Sequence, residues 1–317
     1  MQVSIRERDP NYQLHRMTLF QHLLDCYPAS RSEIIRQARV DIPPRVRPQV
    51  WSAILGVLRC DEWVYRHVDK ESPGASDKQI DVDIPRCHQY HNLLGSSEGH
   101  VKMRRVLKAW LRAHPHLVYW QGLDSVMIGY FAVFQHLLTF HDPELSVHLT
   151  KTDFTPQLYA MPWFLTMFTH VFPLDKTYLI WDKFLVAPRS FPHFFGLAIL
   201  RQARPMLLSS GFNEHITMFT NGLPSIDIEA CIQSAYQLCQ ITPPSVMKLP
   251  PESDNAPMEP AGSTTSLDSW ETAPWWNTPI SLEARQAEPV PRIFVSDLTR
   301  LRGELTLYVD IRDEGTY

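Results

Sequence analysis

The 317 residues suffice for one large domain or two ordinary ones, and a 44% apolar content supplies a real core. A net charge of −4 gives no global field toward nucleic acid or acidic lipid, so neither is an expected partner. Twelve glycines against 26 prolines favour helices with proline-marked ends over a glycine-turned β fold, and the expected class is all-α.

The first residues, Met1 to Asp9, are charged and carry no apolar stretch of the kind a signal peptide needs. Residues 12–25 place Met17, Phe20 and Leu24 at helical spacing, and Pro43-Pro44 then breaks the chain. Arg45 to Gly56 predicts a helix with Pro48 in its first turn, Gly56 as its stop, and Trp51 and Leu55 on one face. Residues 72–79 are polar and predict a loop. Asp83 offers an N-cap with Pro85 tolerable behind it, which sets Arg86 near a helix N-terminus. A cation there works against the helix macrodipole and calls for another explanation.

Residues 101–113 predict an amphipathic helix with Met103, Val106, Leu107, Trp110 and Leu111 inward. Lys102, Arg105, Lys108 and Arg112 are expected on the solvated side. Pro115 ends this helix, and Tyr119 to Asp124 read as a loop. From 126 to 240 the pattern stays helical and aromatic, with core density greatest over Pro162 to Pro173 and a kink or break expected at Pro205. Its longest apolar run, Val126 to Phe134, is far short of the roughly 20 residues a bilayer-spanning helix requires. A flexible Pro/Ser/Glu/Thr-rich linker follows over 246–292, in which Trp270, Trp275 and Trp276 could form a short docking segment. Leu305 to Arg312 reads as a buried strand.

Candidate chemistry is sparse. The cysteines Cys26, Cys60, Cys87, Cys231 and Cys239 form no Cys-x-x-Cys pair and read as reduced thiols; Cys87, beside Arg86, is either a reactive thiol or a small apolar side chain. His88, His91, His114 and His116 lack the converging ligands of a metal site, so no metal is expected. Phosphate-binding glycine loops and a nucleophile elbow are also missing, and no cofactor is expected. What remains is Arg86, a permanent planar cation, and Gln121, a neutral amide beside Gly122. Taken singly, Arg86 could be one half of a surface ion pair with Asp83, and Gln121 a loop-capping amide.

Three motifs in order change that balance. Arg47-x-x-x-Trp51 with Ile54-Leu55-Gly56 resembles the opening motif of the TBC domain, the helical fold of GTPase-activating proteins for Rab GTPases. Ile80-x-x-Asp83-x-x-Arg86 resembles that family's arginine-finger motif, and Tyr119-x-Gln121-Gly122 its glutamine-finger motif. The later Trp163-Phe164 and Trp181-Asp182 stretches are similar too, so the resemblance covers roughly residues 20–245. It implies a multi-helix TBC domain over 1–245 with a helical lead-in, and a rhodanese-like α/β start, cut short, over 293–317. It also implies a cytoplasmic protein, peripheral on endomembranes only through partners, that meets a Rab in its GTP-bound state. Arg86 would neutralise phosphate charge and Gln121 would orient water, with Asp83, Tyr119, Gly122, Arg47 and Trp51 in support. One departure stands out: between Asp124 and His141 the chain is shorter than the family pattern by a few dozen residues. The alternative is therefore a TBC scaffold that binds partners without activating a GTPase.

Overall fold

The computed structural model describes residues 3–58, 62–115, 123–220 and 226–247. Among the described residues every regular element is helical. The chain divides into two compact units, Met1–Ile241 and Thr242–Tyr317.

Val3–Arg8 (α1) and Pro10–Asp25 (α2) open the first unit. The Asp9 carboxylate accepts from the backbone N–H groups of Asn11 and Tyr12 at 3.0 and 3.1 Å, and Pro10 takes the first helical position, where no N–H is needed. Phe20 of α2 meets Ile34 and Ala38 of Arg31–Ala38 (α3) and Val50 and Ala53 of Arg47–Ile54 (α4); all five are fully buried. Pro43-Pro44 falls in the link between α3 and α4, as expected.

Gly56 stops α4 at φ +77°, a left-handed conformation that costs glycine little. Its N–H donates to the Ala53 carbonyl and that of Val57 to the Ser52 carbonyl, the paired bonds of a Schellman end. Leu55 does not share the buried face of Trp51: as the cap residue it lies where α4 has run past the core, and it is 59% exposed.

Glu62–His67 (α5), Asp77–Asp83 (α6) and Ser97–Ala113 (α7) follow. The loop expected over 72–79 ends at Asp77, whose carboxylate favours a helix start and accepts from the Gly74 N–H at 3.1 Å.

The second half comprises Leu123–His141 (α8), Pro143–Lys151 (α9), Pro156–Tyr159 (α10), Met161–Leu165 (α11), Leu174–Phe184 (α12), Phe191–Leu208 (α13), Phe212–Thr220 (α14) and Ile228–Ile241 (α15). α13 is its axis, packed against α15, α8 and α9, with Phe191, Phe194, Phe195, Ile199 and Leu200 fully buried. Phe134 of α8 stands edge-on to Trp163 and Phe164 at centroid distances of 6.3 and 5.2 Å, and Phe168 meets Phe195 at 5.1 Å. Such pairs add roughly 0.5–1.5 kcal/mol each beyond the area they bury. Trp163, Phe164, Phe168 and Phe172 of the 162–173 stretch are thus core, as its composition predicts, while Pro162, Met167, His170 and Pro173 between and beside them are exposed.

Pro205 does not break α13, which runs on to Leu208. It removes one hydrogen bond near the helix end, and Arg201, whose carbonyl loses that partner, lies on the exposed side where water can replace it. Among the described residues no helix is long and apolar enough to cross a membrane.

Of the second unit, Pro244–Met247 (α16) is described. Trp270, Trp275, Trp276 and the strand expected over Leu305 to Arg312 lie outside the described residues.

Candidate functional site

Arg86 closes a 3₁₀ turn, Ile84–Arg86, that continues directly from α6. Ile80 and Ile84, one helical turn apart, are buried and anchor this segment on one side. Pro85 stiffens the turn, and Arg86 is carried out to solvent. Among the described residues no ion pair closes on its guanidinium. Beyond it the backbone turns extended at Cys87 and then left-handed at His88, with φ +46°. The His88 ring is buried, 2.9 Å from the Tyr90 hydroxyl and 6.2 Å from the His170 ring, which ties the outgoing chain to the segment after α11.

Two expectations for this segment are corrected. Asp83 does not start a helix: it is the last residue of α6, its side chain makes no cap bond, and its carboxylate accepts from the Gln79 amide at 2.9 Å. Arg86 consequently ends a helical run, so its charge agrees with the macrodipole instead of opposing it. The pattern misleads because Pro85 resembles a first-turn proline after a cap, when it sits inside a tightening last turn.

α7 supports the segment from behind, through a face the periodicity does not mark. Val106 and Trp110 are 56% and 47% exposed, whereas Lys108, expected in solvent, is only 3% exposed. Its ammonium donates to the Asp77 carboxylate at 2.9 Å, the Ser72 carbonyl at 2.9 Å and the Glu71 carbonyl at 3.5 Å. Arg104, one turn earlier, donates to Asp81 at 2.7 Å and lies 3.5 Å from Asp77. The helix is rotated so that its cations meet the carboxylates of α6, and this outweighs burial of one more apolar stripe. Lys108 holds the Asp77 carboxyl below the usual carboxylate range, and Arg104 does the same for Asp81.

At the start of α7, Ser96 caps the helix by accepting from the Gly99 N–H at 3.0 Å. A side chain at position 99 would put its Cβ 1.9 Å from the Leu93 carbonyl oxygen. Glycine is therefore what lets the loop leaving Arg86 pack against α7.

Arg47 and Trp51 meet elsewhere, around Asp182 of α12. The Arg47 guanidinium forks onto the carboxylate at 2.9–3.1 Å, and the Trp51 indole N–H donates to it at 2.7 Å. Tyr178 lies 5.7 Å from the guanidinium. Burial pushes the Asp182 carboxyl up, against the lowering pull of Arg47 and Trp51. The opening motif thus ties α4 to a helix 135 residues away.

Tyr119, Gln121 and Gly122 lie outside the described residues. Cys87 does not fit the reactive-thiol alternative, because partial burial pushes its pKa up and disfavours the thiolate. Among the described residues no group of three or more His, Cys, Asp or Glu side chains converges as metal ligands would. Sequence reasoning missed Lys108, Arg104 and Asp77. A signal for them existed: Asp77 and Asp81 are four apart, as are Arg104 and Lys108, two matched doublets on neighbouring helices.

The family model described as the Rab-GTPase-TBC domain matches residues 44–129 and 124–208. A Gallus gallus protein named TBC domain-containing protein kinase-like protein is 44% identical over 346 residues, covering 94% of this chain and 38% of its own length. The Dictyostelium discoideum protein of that name is 32% identical, covering 95% of this chain and 31% of its own. The chain therefore spans only about a third of the length of these curated relatives. The chicken alignment is longer than this whole chain, so that protein holds residues within the matched span that have no counterpart here. The family match divides at 124–129, where the shortening after Asp124 is expected. Among solved structures, the Ypt/Rab-GAP domain of Gyp1p superposes with a TM-score of 0.60 at 16% identity, covering 73% of this chain and 99% of that one. At that identity the likeness is one of fold.

Proposed function

This chain belongs to the Rab-GTPase-TBC domain family, and from that premise we propose that it accelerates GTP hydrolysis by a Rab-family GTPase in its GTP-bound state. It turns over no substrate of its own; it lends side chains to the partner's nucleotide site. The observation that carries this reading is Arg86: exposed, set on a short turn anchored by Ile80 and Ile84, and free of any ion pair among the described residues.

A guanidinium so presented can donate two parallel hydrogen bonds to the β- and γ-phosphate oxygens as charge builds on them, which a lysine ammonium cannot. Gln121 orients the attacking water in place of the GTPase's own glutamine, with Gly122 letting backbone come close and Tyr119 beside it. Asp83 steadies the turn that holds Arg86. Arg47 and Trp51 act at one remove, through the fold. The catalytic domain is 1–245, with 246–292 a linker and 293–317 a rhodanese-like piece. The protein works in the cytoplasm and reaches membranes through the GTPase it serves.

Fingers of this kind are worth about 10³–10⁵ in rate, or about 4–7 kcal/mol of transition-state stabilisation. Single-turnover hydrolysis across a panel of GTP-loaded Rabs tests the reading. At least one Rab should respond, and Arg86→Ala, Arg86→Lys and Gln121→Ala should each abolish most of that response. Near-full activity in Arg86→Lys would argue against a finger, because charge without the planar fork misplaces the donors.

One observation favours a second reading, a scaffold that binds partners without activating them. Relatives carry residues inside the matched span that this chain lacks, and the family match divides just after Gln121. A flat response across the panel, from protein with a cooperative melt, would leave the scaffold.

A further inference from the structure

We propose that Lys108 is a positioning residue for Arg86, acting as the buried pin that fixes the arginine-bearing segment to α7. The inference rests on the reading of Arg86 as a finger and deepens it.

A lysine is rarely buried unless its ammonium is satisfied. Here the ammonium is placed between two features of the finger's support. Its bonds to the Glu71 and Ser72 carbonyls hold the loop entering α6, and its pair with Asp77 holds the first residue of α6 itself. From Asp77 the helix and the 3₁₀ turn run without interruption to Arg86. An element this short has little stability of its own and takes its orientation from what grips it.

Arg104 adds a second rung, to Asp81, but that pair is open to solvent: the side chains are 35% and 53% exposed. Water and salt screen it as they do not screen Lys108. Arg112 reaches the Ser72 and Pro73 carbonyls from the same face of α7. Every polar grip on the entrance to α6 among these thus comes from one helix, and only in the Lys108 rung is the cation itself buried. A displacement of about 1 Å at a reacting group can cost on the order of 10²-fold in rate, so a loosened mount should register in catalysis.

The test compares wild type with Lys108→Met and with Lys108→Met/Asp77→Asn. The double variant leaves no unpaired buried charge and keeps the packing volume. For the double variant, with any Rab that responds to wild type, kcat should fall at least tenfold with KM within threefold. Its amides over 80–86 should exchange hydrogen at least tenfold faster, those of α13 should not change, and its melting temperature should stay within a few degrees. Arg104→Gln, which removes only the wet rung, should change kcat less than threefold.

Unchanged exchange over 80–86 in the double variant overturns the proposal, and so does faster exchange with unchanged kcat. A parallel loss of protection in α13 also overturns it, since Lys108 would then be holding the whole fold. If wild type activates no Rab, the finger reading fails, and the exchange measurement alone decides whether Lys108 is the mount.

Discussion

At the scale of single residues, the same amino acid type does opposite work in two places. Arg86 is exposed with its charge unspent, while Arg47 is buried with its fork fully used on Asp182. Both stand in stretches that resemble motifs of the family, and of the two only Arg86 is open to solvent. The buried pair is judged by what its loss leaves behind. Arg47→Met strands the Asp182 carboxylate in the core and should cost about 3–5 kcal/mol. Arg47→Met/Asp182→Asn removes the charge but keeps an acceptor for the Trp51 indole, so it should cost clearly less than the single change. Urea titration of the three proteins checks this order. A double variant as unstable as Arg47→Met would mean that the attraction itself, and not the uncompensated charge, carries the pair.

At the scale of elements, helix existence is legible in the sequence, whereas the rotation of α7 is not. α2, α4 and α7 fall where periodicity, proline placement and Gly56 predict them. The facing error in α7 has a physical cause. Periodicity ranks side chains by apolarity, whereas Lys108 gains more by meeting Asp77 and two carbonyls than Val106 gains by burial. Partner charges 31 residues apart in sequence are invisible to a window of one helix. The local pattern misplaces Asp83 and Arg86 for a similar reason: Ile80 and Ile84 extend the helix through the point where a cap is expected. Gln121 is legible only as part of a motif resemblance. Because Val106 and Trp110 face solvent, Val106→Ser and Trp110→Gln should each shift stability by no more than about 0.5 kcal/mol. A core-facing stripe would instead lose about 2 kcal/mol or more per site. Thermal or urea melts of the two variants separate these outcomes, and a large loss at either would restore the rotation that the pattern implies.

At the scale of the whole molecule, stability should depend on pH through groups the fold forces to stay neutral. His193 of α13 is nearly inaccessible, stacks on Tyr130 of α8 at 4.9 Å and lies tilted against Phe164 of α11 at 5.1 Å, so it sits where three helices meet. Burial lowers its pKa to about 4, and neither ring nitrogen finds a hydrogen-bond partner among the described residues. An unfolded histidine titrates near 6.5, so between these values the unfolded chain binds the extra proton and the folded one does not. Stability therefore falls as pH drops from about 6.5 to about 4. At about 1.36 kcal/mol for each pH unit between the two values, His193 alone contributes a loss of roughly 3 kcal/mol across that window. His88 and His141, also lowered by burial, act with the same sign. The lowered carboxylates act in a separate, more acid window: Asp69, brought to about 2 by the N–H and hydroxyl groups of Ser72 and by Glu71, loses its contribution only below about pH 4. His193→Phe keeps a ring between Tyr130 and Phe164 but carries no titrating nitrogen. Its urea-derived stability should be flatter than wild type between pH 6.5 and 4 and parallel to wild type below pH 4. Equal slopes in the upper window would show that the buried imidazole is not the group that acid attacks.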